Sequence, residues 1–279
     1  MNPYMEQLST TQTSQLENPG SQTQTLLQTS IAAGHLGANA IEYSKEMSDE
    51  EEHEQFEWAS QKISLLIETL KQIPNRKRVA DIGCRTGGQA AYYKAQAGEI
   101  TEMHGFDISE APLEVAKRAG ILTHVWVSGE SACPVEDNFF DVIIAGDIIE
   151  HLMDTDVFLQ ELRRVLRPGG YLLITTPNIA WWWNRLRLLF GKVPANIASV
   201  SFRTSLDPAV DCKHLRVSVN SEWLYLFAQH NYECVSITGY NYPKLLRWPF
   251  NFFDHLLKRV PSLAHSNLFV LRKPLSQSC

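Results

Sequence analysis

The sequence predicts a doubly wound α/β domain, and three observations predict it. The apolar run Val79-Ala80-Asp81-Ile82 enters a glycine-rich turn, Gly83-Cys84-Arg85-Thr86-Gly87-Gly88, ahead of a helical pattern at Gln89 to Gln96. Apolar runs then alternate with amphipathic segments, as in a sheet wound through crossover helices. An acid, Asp107, closes the second apolar run. Glycine lacks a Cβ, so backbone there can approach a ligand closely and take positive φ. Free amides at the start of the next helix face that ligand. This is the nucleotide-binding corner of such a sheet.

The elements follow in order. Residues 1–30 are rich in Gln, Thr and Ser with few apolar anchors, and such a segment buries too little to offset its ordering entropy. A flexible tail is expected to residue 47, with one catalytic domain over 48–279 and its core at about 76–240. Ser48 and Glu51 form a capping box. Behind it Phe56, Ala59, Ile63, Leu66, Ile67 and Leu70 recur at helical spacing, giving a helix to about Ile73 that Pro74 stops. Strands are expected at 78–83, 102–107, 123–127, 139–145 and 170–176, and helices at 88–97, 110–119 and 154–166. Arg167-Pro168-Gly169-Gly170 reads as a helix stop and turn. Regularity fails from 178 to about 220, a length typical of a lid. A helix at 221–230 and strands at 232–238 and 267–273 close the chain.

Composition limits the function class. The chain has 279 residues, 44% of them apolar and 20% charged, as in ordinary globular proteins. No apolar run reaches the roughly 20 residues that span a bilayer, and the first residues lack a basic and apolar leader. Five scattered cysteines (84, 133, 212, 234, 279) without a CxxC pair read as reduced thiols, so a cytoplasmic protein is expected. Net charge is −6 but uneven: residues 1–57 carry ten acids and one Lys, and 178–279 carry twelve Lys/Arg and five acids. This is either ordinary surface charge or a basic face for an anionic substrate or lipid headgroups.

Further motifs follow the glycine turn at ordered positions: Gly105-Phe106-Asp107-Ile108, Val127-Ser128-Gly129-Glu130-Ser131, Asp147-Ile148-Ile149-Glu150-His151-Leu152, and Leu166-Arg167-Pro168-Gly169-Gly170-Tyr171 running to Thr176-Pro177-Asn178. With these the chain resembles the class I S-adenosylmethionine-dependent methyltransferases, in the branch that includes ubiquinone-biosynthesis O-methyltransferases. The resemblance implies a Rossmann-like fold with a seven-stranded, mostly parallel sheet, helices on both faces, and a last strand that is antiparallel. It implies that Asp81, Gly83 and Gly87 form the methionine-side pocket and that Asp107 binds the ribose hydroxyls. Ile108 would flank the adenine, Glu130 and Ser131 would sit at its edge, and Asp147 and Ile148 would lie near the sulfonium. Arg85 departs from the family, which has Gly there. It is expected to point outward, with pairing to the methionine carboxylate as the alternative.

Asp147, Glu150 and His151 stand at i, i+3 and i+4 and can converge on one point. In some relatives such a cluster and a later His, here His214, bind a divalent cation. Carboxylate and imidazole donors suit Mg²⁺, Mn²⁺ or Zn²⁺. Two other readings stay open: His151 as a general base without metal, and a cap that only shapes the pocket. Trp181-Trp182-Trp183 opens the irregular stretch as a lid helix or as a wall for the acceptor. Residues 245–260, rich in Phe, Leu, Lys and Arg, form a second cover element, a homodimer contact or a peripheral membrane surface. The expected reaction is O-methylation of a small natural-product, sugar or lipid-type molecule. N-methylation and RNA 2′-O-methylation are the alternatives, and DNA is not an expected partner.

Overall fold

A computed structural model describes residues 59–197, 214–242, 246 and 250–275. The elements are α1 (Ser60–Gln72), β1 (Arg78–Ile82), α2 (Gly88–Ala97), β2 (Glu102–Asp107), α3 (Glu110–Arg118), β3 (Leu122–Val125), β4 (Phe140–Gly146), α4 (Thr155–Val165), β5 (Leu166–Pro177), α5 (Trp182–Leu189), α6 (Asn220–Gln229), β6 (Glu233–Tyr240), α7 (Phe250–Leu257) and β7 (Ser266–Arg272). The Ser48–Glu51 capping box, the expected tail and residues 198–213 of the lid lie outside the described residues.

The seven strands form one sheet in the order β3-β2-β1-β4-β5-β7-β6. β1, β2, β3, β4 and β5 pair in parallel, whereas β7 pairs antiparallel with both β5 and β6. The order reverses at β1 and β4, so a crevice opens at their carboxyl ends, where doubly wound sheets bind ligands.

Side chains alternate across a strand, and the central strands are apolar on both faces. Ala80, Ile82, Ile143, Ala145, Leu172 and Ile174 join Phe158, Leu159 and Leu162 of α4 and Phe227 of α6 on one face. Val79, Val142, Ile144, Leu173, Leu268 and Val270 join Ile63, Leu66 and Leu70 of α1 and Tyr93 of α2 on the other. Asp154 caps α4 by accepting the N–H groups of Asp156 and Val157 at 3.0 and 2.9 Å.

The Arg-Pro-Gly-Gly segment is a helix stop and turn carried inside the span of β5. Helix α4 stops at Val165 and the segment bulges within β5: Phe140 pairs with Leu166 and Val142 with Tyr171, Gly169 turns with φ of +75°, Gly169 N donates to Lys273 O, and Lys273 N donates to Gly170 O. The residue after β7 thus continues the ladder past Pro168, which has no N–H to give. Cys84, Cys133 and Cys234 are free thiols. Among the described residues no helix is long and apolar enough to cross a membrane.

Candidate functional site: a cofactor corner and a buried Glu-His-His cluster

The turn after β1 is built on left-handed backbone. Gly83, Arg85 and Gly87 have φ of +76°, +52° and +78°. Gly83 N and Cys84 N both donate to Phe106 O, at 2.7 and 3.0 Å, which ties the turn to β2. A Cβ on Gly83 would overlap the Ile148 side chain, and one on Gly87 would lie 2.7 Å from Ala116 Cβ on α3. The positive φ at Arg85 is a conformation that glycine takes without strain. Arg85 is half-buried instead of facing fully outward. Its backbone N–H donates to Asp107 Oδ2 at 3.0 Å, and its charge opposes protonation of that acid.

Asp107, at the end of β2, is held by backbone. Ser109 N donates to its Oδ1 at 3.1 Å, so each carboxylate oxygen carries one fixed bond and keeps lone-pair capacity for a diol. Burial pushes its carboxyl up, and the Ser109 and Arg85 amides pull it back. Ile108 follows it directly. Past β3, Trp126 is buried against Phe106 and Phe158. Its indole N–H donates to Ser131 O at 2.9 Å, and Ser131 Oγ donates to Val127 O at 3.2 Å. Glu130 is exposed. Trp126 therefore anchors the loop expected at the adenine edge, a role that a lone Trp after a short strand barely signals.

Asp81 is buried at the carboxyl end of β1. Desolvation raises its carboxyl to about 7, Lys62 opposes that rise, and Asp107 adds to it. Lys62 comes from α1 and ion-pairs with Asp147 at 2.9 Å.

Asp147 sits just past β4 with φ of +55°. Oδ1 accepts Thr175 Oγ1 at 2.8 Å and Tyr240 OH at 3.2 Å, and Oδ2 accepts Lys62 Nζ and Tyr242 OH, each at 2.9 Å. Burial alone would raise this carboxyl, but Lys62 and the hydrogen bonds bring it down to about 2. With both oxygens engaged by these four donors, Asp147 is corrected out of the expected metal set. Lys62, Tyr240 and Tyr242 were missed in the sequence. Lys62 could have been found, because it falls on the apolar stripe of α1 between Ala59 and Leu66.

Glu150 and His151 belong to a short 3-10 turn, Ile149–His151, directly after Asp147 and Ile148. Together with His214 they offer ligand atoms that all lie within 4.8 Å of one another. The peptide of Glu150 pins the distant segment: its carbonyl accepts Leu215 N at 2.8 Å and Arg216 N at 3.0 Å. The Arg216 guanidinium also reaches the Leu152 and Met153 carbonyls. His214 Nδ1 donates to Asn196 O at 2.8 Å, which leaves Nε2 as the acceptor nitrogen. That Nε2 lies 4.0 Å from Glu150 Oε1. The His151 and His214 ring centroids are 4.7 Å apart.

The Glu150 side chain is fully buried, and neither oxygen has a hydrogen-bond partner among the described residues. Burial raises its carboxyl well above the usual range and Asp147 adds to that, while the Thr176 hydroxyl, near but outside hydrogen-bonding geometry, pulls the other way. Burial lowers His214, keeping it neutral. A buried carboxylate facing an imidazole lone pair calls for a proton or a cation between them. Donor type and spacing therefore fit a divalent cation at Glu150, His151 and His214.

Comparison with known proteins points to a methyltransferase domain. Residues 80–174 match the family model described as a methyltransferase domain. Over 108 residues the chain is 32% identical to the ubiquinone/menaquinone biosynthesis C-methyltransferase UbiE of Paraburkholderia xenovorans (strain LB400), covering 37% of this chain and 44% of that protein. Over 107 residues it is 32% identical to the ubiquinone biosynthesis O-methyltransferase of Shewanella sp. (strain ANA-3), again 37% and 44%. The chain thus spans under half the length of these curated relatives. A solved SAM-dependent methyltransferase from Thermotoga maritima shares the fold, with a TM-score of 0.53 at 18% identity, covering 81% of this chain and 96% of that one. The sheet order, the Asp81–Gly87 turn, Asp107 and the family model matched over residues 80–174 agree in indicating a class I S-adenosylmethionine-dependent methyltransferase domain.

Proposed function

We propose that the protein transfers a methyl group from S-adenosylmethionine to a hydroxyl oxygen of a small-molecule acceptor of natural-product, sugar or lipid type. The observation that carries this reading is the Glu150–His151–His214 cluster, one turn past the crevice defined by Asp81, Asp107 and Asp147. S-adenosylmethionine supplies a sulfonium methyl that a lone pair aligned behind it can take. Asp107 accepts the ribose hydroxyls, Ile108 flanks the base, and Gly83 and Gly87 let the backbone approach the methionine side. Asp81 is available to the ammonium group. Ile148, against Gly83, lies toward the reacting centre, while Asp147 acts through Lys62, Tyr240 and Tyr242 to hold the floor rigid.

Much of the rate comes from aligning acceptor and donor and excluding water. His151 takes the hydroxyl proton, the oxygen forms the new C–O bond, and the C–S bond breaks with its electron pair going to sulfur. Where a divalent cation (Mg²⁺, Mn²⁺ or Zn²⁺) is held, Glu150, His151 and His214 hold it, and it would lower the pKa of a bound hydroxyl. Methyl transfer to a carbon acceptor is a second reading, favoured by the C-methyltransferase activity in the name of the UbiE relative. A nitrogen acceptor, which needs less base help, and an RNA 2′-hydroxyl are the remaining alternatives, the second less favoured.

The test is methyl transfer to a panel of phenols, sugars, lipids and amines, with and without chelator. We expect turnover on hydroxyl acceptors, and His151→Ala to lower it by about 10²–10⁴-fold. Near-normal turnover in His151→Ala would refute the base assignment, and indifference to EDTA would remove the cation. Calorimetry without S-adenosylmethionine binding would sink the enzyme reading itself.

A further inference from the structure

Helices α5 and α7 are amphipathic in reverse. α5 buries Asn184 and Arg187. Asn184 Oδ1 accepts Ala195 N at 2.8 Å, its Nδ2 donates to Ala195 O at 3.2 Å, and Arg187 Nε donates to Val193 O at 2.7 Å. The same helix and the turn after it expose Leu188, Leu189, Phe190 and Val193 by 58%, 75%, 75% and 50%. α7 repeats the pattern. Its buried residue is Asp254, whose Oδ1 accepts the indole N–H groups of Trp181 and Trp182, each at 2.8 Å. Phe250, Phe252, Phe253 and Leu256 lie outside, with Val260 just beyond the helix. The two helices touch where the Trp183 and Phe250 ring centroids come within 4.9 Å.

A surface helix in water turns its charged face outward. Single exposed apolar side chains are ordinary, but two adjoining helices that both hide polar groups and present Leu and Phe mark an interaction surface. The charge on it is of one sign. Arg185, Lys192 and Arg259 are exposed and Lys258 is half-buried. In residues 178–197 and 250–265 the single acid is Asp254, which is buried and engaged by the indoles. A second copy packed about a twofold axis would set these cations against each other. An anionic bilayer matches both properties, with phosphates for the Lys and Arg and acyl chains for the Phe and Leu.

We propose that α5 and α7 form a peripheral, reversible docking face for anionic lipid membranes. This seat adjoins the chemistry. The Trp181 indole bonds Asp254 of α7, its ring meets His265 edge-on at 4.7 Å, and His265 in turn contacts the ring of Tyr242, a partner of Asp147. Lipid contact at the lid is thus two side chains from the floor of the crevice.

The full chain is tested by flotation with vesicles of phosphatidylcholine alone and of phosphatidylcholine with phosphatidylglycerol, at low and high salt. It is expected to float with the anionic vesicles only, and less at high salt. The apolar variants Phe252→Ser/Phe253→Ser and Leu189→Ser/Phe190→Ser each lower partitioning by at least ~tenfold. Lys192→Glu/Arg259→Glu does the same without touching an apolar contact, which guards against a variant that simply misfolds. Near-UV circular dichroism and S-adenosylmethionine binding in solution stay as in the parent. Failure to float with anionic vesicles overturns the proposal, as does flotation unchanged in all three variants. A stable dimer that Phe252→Ser/Phe253→Ser converts to monomer, with no vesicle binding by the parent, assigns the face to self-association and overturns it too.

Discussion

Two buried acids at the crevice titrate in opposite directions. Asp147, depressed to about 2 against an ordinary 3.8, adds stability that is complete above the unfolded value and fades as pH falls through about 2. Asp147→Asn leaves Lys62 without its ion-pair partner and is expected to cost about 3–5 kcal/mol in urea denaturation at neutral pH. Adding Lys62→Met should recover much of that loss, because a well-packed apolar side chain replaces a buried ion pair at little cost. Asp81, raised to about 7, behaves the other way. Its contribution is present below 3.8 and is lost as pH rises to about 7. Asp81→Asn should therefore raise the melting temperature at pH 8 more than at pH 5, by up to ~4 kcal/mol of stability, while weakening S-adenosylmethionine binding in calorimetry. The acids themselves were legible, since each ends a strand of a recognisable motif. Their partners were not: Tyr240 and Tyr242 reach Asp147 from more than ninety residues away, and no local pattern records a contact of that range. The Glu150–His151 pair was readable from its spacing, and His214 from the resemblance alone.

Strands and helices were legible wherever periodicity was strong. α2, α3, α4 and the central strands fall within a few residues of their expected bounds, because an apolar run flanked by turn residues leaves few alternatives. The stop and turn at Arg-Pro-Gly-Gly were legible from Pro168 and Gly169, but its hydrogen bonds to Lys273 after β7 are a tertiary fact that no local pattern records. The lid helix and the cover element were legible, but not which face each buries, because that is set by the hydrogen bonds of Asn184, Arg187 and Asp254 to partners outside each helix. The glycine turn gives a sharp test between two sites. At Gly87 a Cβ meets both the Cβ and the backbone of Ala116, so Gly87→Ala must move α3 and should cost about 3 kcal/mol. At Gly83 the obstacle is the tip of Ile148, which can rotate away. Gly83→Ala should cost about 1–2 kcal/mol from its positive φ alone, yet lose more cofactor affinity. Thermal melts and calorimetry on the two variants separate packing from ligand approach.

Across the whole molecule, stability should be graded from the sheet outward. β1, β4, β5 and β7 are buried on both faces, so their amides should exchange slowest with solvent. Those of α5 and α7, which bury few side chains, should exchange fastest among the helices. Hydrogen-exchange mass spectrometry reads that order directly, and rapid exchange in β4 would contradict it. The knot at Asp147 has a consequence at this scale. Lys62 arrives from the first described helix, Thr175 from mid-chain, and Tyr240 and Tyr242 from near the last strand. A nascent chain still on the ribosome short of residue 242 has no way to fasten that clasp, so competence for the methyl donor should switch on late in synthesis instead of growing with length.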